Sequence, residues 1–334
     1  MTQATLFDKR GFALDELTAS YNRQWVKNAF GECKFTAAIR DVEAHPEVFA
    51  KGNLIVIKQD NLPDWVGYLD FPEPWGDGTI VFQAFSAEKI FDLRPGRPDK
   101  LFGTAGSIFN RLIGVANSWG DTLMRPGDIY LGGSDREESI SYANQLYADV
   151  QRIAERSGND WDITPQVTNG KLTLLANWYA AKRKVVDHAL TEGINMEAKS
   201  STLEYTGPVW NSVVAFGNAS TWASRKLAYA SDEASQANYG LRALGLAVDS
   251  NVDATVQAAA DAYAAYYKNP RRSVDISATD VNGTFAWLRI GHVPDVELIG
   301  VGLDDGTKGF TMQAEIVEMN YLHDRDVMDL TVRE

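Results

Sequence analysis

The feature that most constrains this chain is a change of hydrophobic period, from two residues to about 3.6 and back to two. In "GECKFTAAIR" (31–40), Cys33, Phe35, Ala37 and Ile39 alternate with Lys34, Thr36, Ala38 and Arg40. A half-buried strand requires that pattern, because successive side chains point to opposite faces. "NLIVIK" (53–58) is a short apolar run of buried-strand type. "WVGYLD" (65–70) and "TIVFQAFS" (79–86) follow, separated by the turn-rich "FPEPWGDG". "RPGRP" (94–98) closes this first β unit, which reads as a small antiparallel barrel or sandwich. Alternation returns after 183 in "INMEAKSSTLEY" and "NSVVAFGN". It continues in "RSVDISAT", "DVELIGVGL", "FTMQAEIVEMNYL" and "DVMDLTVRE", with "DDGTKG" (304–309) as a hairpin turn.

The middle keeps helical time. Ile108, Phe109, Leu112, Ile113 and Ala116 share one helix face. So do Ile140, Ala143, Leu146, Tyr147, Val150, Ile153 and Ala154, and Ser134 three residues before Glu137 suggests a capping box ahead of them. "WDIT" (161–164) and "KLTLLANW" (171–178) form a hairpin through "TNG". A helical excursion interrupts the second β region at about 232–268, with helices expected over 232–246 and 251–268 and a stop at Asn269–Pro270. The fold class is α+β and β-dominated. At 334 residues the chain exceeds one comfortable core, and it divides into β unit 1–97, α/β insert 98–182 and β unit 183–334.

Catalytic chemistry is hard to find. Cys33 is the single cysteine, which excludes an intrachain disulfide or a Cys-rich zinc site. The four histidines lie far apart, and "HDRD" (323–326) reads as a polar stretch between strands rather than a metal site. "GTAGS" (103–107) lacks the lysine of a phosphate loop and is explained by a helix start. Ser134 in "GGSDREES" has no glycine two positions on, so it is no nucleophile elbow. Asp160 and Asp162 flank Trp161 like a glycosidase pair, but in a strand they share one face while Trp161 turns inward. No cofactor and no metal site is expected. No apolar run spans a bilayer, and the N-terminus lacks an apolar signal core, so synthesis in a cytoplasm is expected. Net charge is −13, which disfavours tight nucleic-acid binding. Residues 232–334 hold 17 acidic and 8 basic side chains, so most of the excess lies there.

"LTEGIN" (190–195), "NSVVAFGN" (211–218) and "SQANYGLR" (235–242), in that order, resemble the tail-hub proteins of long-tailed bacteriophages, a family that includes the hub half of type VI secretion spikes. "NRQWVKNAFGECKFTAAI", "GNLIVI", "WVGYLD" and "AFSAEKIFDLR" follow the order of that family's first β unit, and "NDWDITPQVTNGKLTLL" is similar to the hairpin closing its insert. "RIGHVPDVEL" (289–298) departs from it where a Gly-Asp pair is expected, which leaves the path near Pro294 open.

The resemblance implies a structural virion protein without enzymatic activity. Two tube-like β units per chain would form a homotrimeric ring at the tail tip or baseplate, through which DNA passes. The implied partners are the distal tail protein, the tape-measure protein and tail-tip or spike proteins. Glu192, Gly193, Asn195, Asn211, Gly217, Tyr239 and Gly240 carry the family motifs as backbone-shaping positions. Glu297, Asp304, Asp305, Glu315 and Glu318 are candidates to face the lumen. The rival readings are a cell-wall-degrading tail-tip enzyme and a glycan-binding receptor module using exposed tryptophan.

Overall fold

The computed structural model describes residues 2–70, 72–74, 78–182, 184–199, 204–206, 208–219, 221–248, 250–302 and 308–334. The chain is α+β with strands predominating. Strands from both ends of the sequence share one thirteen-stranded sheet. From one edge it runs Ala13–Leu17, Thr2–Phe7, Leu54–Gln59, Trp65–Leu69, Thr79–Ser86, Glu32–Ala38 and Tyr21–Val26. It continues through Glu315–Leu322, Val327–Arg333 and Arg271–Thr279 to Met196–Ala198. Glu204–Thr206 lies beside Met196–Ala198 on the same neighbour, and Glu73–Pro74 pairs with Thr79–Ser86. The junction between the N-terminal and C-terminal halves is antiparallel, with Trp25 opposite Met319 and Gln24 opposite Asn320.

Alternation explains the cores on this sheet. Tyr21, Phe35, Phe82, Ile55 and Trp65 fill one cluster under the N-terminal half, where the Phe35 and Phe82 rings stack at 5.2 Å. Ile276, Met319, Tyr321, Leu330 and Val332 fill another under the C-terminal half. Phe7, Leu54, Val56 and Val66 join Phe109, Trp161, Leu174 and Trp178 of the insert in a third. The insert is thereby packed onto the sheet rather than strung beside it.

In the insert, Thr104 caps helix Ala105–Asn117 by accepting from the Ser107 amide at 3.3 Å, and the expected hairpin is Asp160–Thr168 with Lys171–Tyr179. Two segments depart from the sequence reading. The second helix begins at Leu146, not near Ile140, which ends strand Arg136–Ile140, and Ser134 caps nothing. Arg136, Glu138 and Ile140 all point inward, so two of the three buried positions are charged and the alternation is disguised. Glu138 is held there by Arg152 at 3.3 Å and Arg156 at 3.2 Å.

In 232–246, helix Glu233–Tyr239 stops at Gly240, whose φ of +74° suits glycine, and strand Ala243–Ala247 follows. That strand flanks Ser212–Phe216, with Leu227–Ser231 on the other side, and helix Asp253–Tyr267 covers one face of the three. Near Pro294 the path is a strand, His292–Gly302, parallel to Lys184–Thr191 and antiparallel to Lys308–Gln313.

Candidate functional site

The family-motif residues gather into two structural knots. In the first, Gly193 takes φ +79° and the turn closes on itself, with the Ile194 and Asn195 amides donating to Thr191 O at 3.1 and 3.2 Å. Asn195 Oδ1 accepts from the Thr191 amide at 2.8 Å, and its Nδ2 donates to Ala189 O at 3.0 Å. Glu192 Oε2 reaches across to accept from the backbone amides of Ile299 at 2.5 Å and Gly300 at 2.6 Å. One acidic side chain therefore ties this turn to the far end of strand His292–Gly302.

In the second knot Asn211 is fully buried. Its Nδ2 donates to Gly240 O and its Oδ1 accepts from the Arg242 amide, both at 2.8 Å. Asn211 thus holds the chain where it leaves helix Glu233–Tyr239 and enters the next strand; Tyr239, the last residue of that helix, stays largely exposed. Gly217 is required by close approach: a Cβ there would lie 2.6 Å from Ser250 O and from Asn251 Oδ1. None of these residues presents a free nucleophile, acid or base.

A cleft of about 370 Å³ lies where the sheet, the insert hairpin and strand His292–Gly302 meet. Of the carboxylate pair of the sequence reading, Asp162 lines it and Asp160 is buried beside it, and each carboxylate is already engaged. Asp160 accepts from Lys27 Nζ at 3.3 Å, Asn28 Nδ2 at 2.9 Å and the Lys182 amide at 2.6 Å. Asp162 is ion-paired with Lys182 and accepts from Asn177 Nδ2 at 2.8 Å and the Tyr179 hydroxyl at 3.2 Å. Lys27 also meets Glu315 at 2.6 Å. Burial lifts the Glu88 carboxyl above the usual glutamate range, although it accepts from the Ile163 amide at 2.9 Å.

Charges committed in this way fasten three parts of the chain together. Lys27, Glu88 and Lys182 went unnoticed in the sequence, where nothing local signals that they meet the insert. Among the described residues no three His, Cys, Asp or Glu side chains could hold a metal ion, and no helix is long and apolar enough to cross a membrane.

Of the acidic lumen candidates, Glu297 is half-buried and accepts from Thr191 Oγ1 at 2.9 Å, and Glu318 accepts from Gln24 Nε2 at 2.6 Å. Glu315 is the partner of Lys27. Asp304 and Asp305 lie outside the described residues.

No protein-family model matches the chain, and no curated protein is similar to it in sequence. Solved structures do match along the whole chain. The tail protein from Neisseria meningitidis MC58 superposes with a TM-score of 0.62 at 11% identity, covering 100% of this chain and 96% of that one. This is the fold of phage tail proteins. Prophage tail protein gp18 from Listeria monocytogenes EGD-e gives 0.59 at 9% identity, with 99% and 94% covered. The 43 kDa tail protein of prophage MuSo2 from Shewanella oneidensis gives 0.58 at 12%, with 99% and 98% covered. At identities of 9–12% it is the tail-protein fold that is shared.

Proposed function

We propose that the chain is a structural, non-enzymatic component of a phage tail hub, forming a homotrimeric ring at the tail tip or baseplate through which DNA passes. One observation carries the reading: a single sheet, built from both ends of the chain, with exposed strand Ala13–Leu17 at one edge and Met196–Ala198 with Glu204–Thr206 at the other. Unpaired edges invite pairing, and copies joined head to tail through opposite edges close only if the rotation returns to its start. The two tube-like units, 1–97 and 183–334, then supply six units per trimer around a lumen, with the insert domain at 98–182 between them in each chain. The distal tail protein, the tape-measure protein and tail-tip or spike proteins are the expected neighbours in the virion.

The acidic C-terminal third suits the wall of such a conduit, since a basic lining would bind phosphate and stall the genome. Glu315 shares Lys27 with Asp160, which leaves Glu297 and Glu318, with no cation bonded to them among the described residues, as the better candidates for field in the lumen. At ~0.15 M salt the Debye length is ~8 Å, so only charges close to the strand act on it. Light scattering at high concentration, alone and with the distal tail protein, together with micrographs, tests the ring. A strict monomer under both conditions refutes it. Glu297→Lys combined with Glu318→Lys should leave rings intact and slow DNA ejection, with the defect relieved by salt. Unchanged ejection removes the electrostatic part.

A further inference from the structure

The small three-stranded sheet has one face covered by helix Asp253–Tyr267 and, among the described residues, one face with no helix or strand packed on it. Inward, Val213, Ala215 and Ala228 pack on Val256, Ala259 and Ala260. Outward, the register sets Val214 between Tyr229 and Gly245, Phe216 between Leu227 and Ala247, and Ser212 between Ser231 and Ala243. None of these nine positions is charged, whereas at the chain's 23% charged content about two would be. Tyr229 is 64% exposed and Leu227 48%, and Trp222, beside Phe216 at 5.6 Å between ring centroids, is 65% exposed. A solvated sheet face in a monomeric protein is normally polar, so a contiguous apolar one marks an interaction surface.

The rim carries both signs, but Asp232 and Asp253 are paired with Lys268 and Lys226, while among the described residues two arginines are not so paired. Arg225 stacks over Trp222 at 5.2 Å and Phe216 at 5.7 Å, and its buried Nε has no hydrogen-bond partner. Arg242, at the opposite end of the strands, donates its Nε–H to Tyr239 O at 3.3 Å. Among the described residues neither arginine has a carboxylate partner, in a chain of net charge −13.

The footprint also fits one element. Three strands ~4.8 Å apart and five residues long, at ~3.3 Å each, present about 10 by 16 Å, the area beneath a three-turn helix ~10 Å wide.

We propose that this face is the docking site for an acidic amphipathic helix of another protein, which lies across Val214 and Phe216 and brings carboxylates to Arg225 and Arg242. The bound helix would complete a helix–sheet–helix sandwich that the chain only half builds. The proposal is independent of the tail reading, since it concerns binding by the purified chain.

Two labelled helical peptides of about 18 residues, with identical Ala/Leu faces and either Glu or Lys flanks, provide the probe for fluorescence anisotropy with the full chain. The Glu peptide should bind saturably and the Lys peptide at least about tenfold more weakly. Tyr229→Lys and Arg225→Glu should each weaken the Glu peptide by about tenfold or more, with the melting temperature unchanged. Tyr229→Phe, which keeps the apolar surface, should bind like the parent. The proposal falls if neither peptide binds, if both bind alike, or if the two disruptive variants bind like the parent. It also falls if the parent self-associates with rising concentration and Tyr229→Lys does not, because a second copy then covers the face.

Discussion

Replacing Asn211 with alanine should loosen the unit it anchors by about 2–3 kcal/mol. The side chain is fully buried and makes two bonds of 2.8 Å, one to Gly240 O and one from the Arg242 amide. A buried group stripped of its partner costs ~1–3 kcal/mol, so two such losses bracket about 2–6. Gly240 and Arg242 are themselves exposed, so water recovers part of each, and the low end of the range, about 2–3 kcal/mol, applies. That corresponds to a roughly 30- to 150-fold change in the unfolding equilibrium at ~1.4 kcal/mol per decade.

Urea unfolding followed by circular dichroism measures the change. Hydrogen exchange should place it in strands Ser212–Phe216 and Ala243–Ala247 and helix Asp253–Tyr267. Asn211→Asp sharpens the test: the new carboxylate can still accept from Arg242 but opposes the Gly240 carbonyl. Its folded pKa is therefore raised above the unfolded ~3.9. The loss should be complete above the folded pKa and shrink as pH falls toward 4, where the protonated acid donates again. A cost below about 0.5 kcal/mol for Asn211→Ala, or a pH-independent Asn211→Asp, refutes the tether, since surface changes fall in that range.

Gly217→Ala should cost at least about 2 kcal/mol, because the added carbon meets Ser250 O at 2.6 Å on rigid backbone, while Gly193→Ala, with open space around it, should cost only the ~1–2 kcal/mol of its positive φ. Denaturation midpoints of the two variants check the order, and equal effects would contradict it. Glu88→Gln should stabilise the protein at pH 7. Burial raises this carboxyl in the folded state above the unfolded ~4.3, so ionisation opposes folding at neutral pH and ceases to do so as pH falls. The gain over the parent should vanish near pH 4 in parallel urea titrations, and a gain that persists there would assign it to packing.

Much of the architecture was readable because amphipathic period is local information. Strand Glu32–Ala38, helix Ala105–Asn117 and the hairpin around Asn169 and Gly170 are written in their own residues. Strand Arg136–Ile140 was not, because its inward positions carry Arg136 and Glu138, whose partners Arg152 and Arg156 come later in the chain. Strand Ala243–Ala247 was absorbed into a helix because Leu241, Leu244 and Leu246 satisfy either period until Gly240 ends the first element. Asn211 and Gly240 were singled out separately, but 29 residues divide them and only the fold shows that one holds the other. The joining of the first and last β units rests on pairing of the same long-range kind, invisible to any window of sequence.

That joining has a consequence for how the protein is made. Gln24 and Glu318, hydrogen-bonded across the seam, are 294 residues apart, and Arg271–Thr279 reaches the N-terminal half of the sheet only through Val327–Arg333 and Glu315–Leu322. A ribosome must therefore pass strand Val327–Arg333 before the two edges belong to one sheet. Loop closure across such a span is slow relative to local pairing. An unfinished chain cannot yet carry both edges of the completed sheet, which separates synthesis in time from any edge-to-edge assembly.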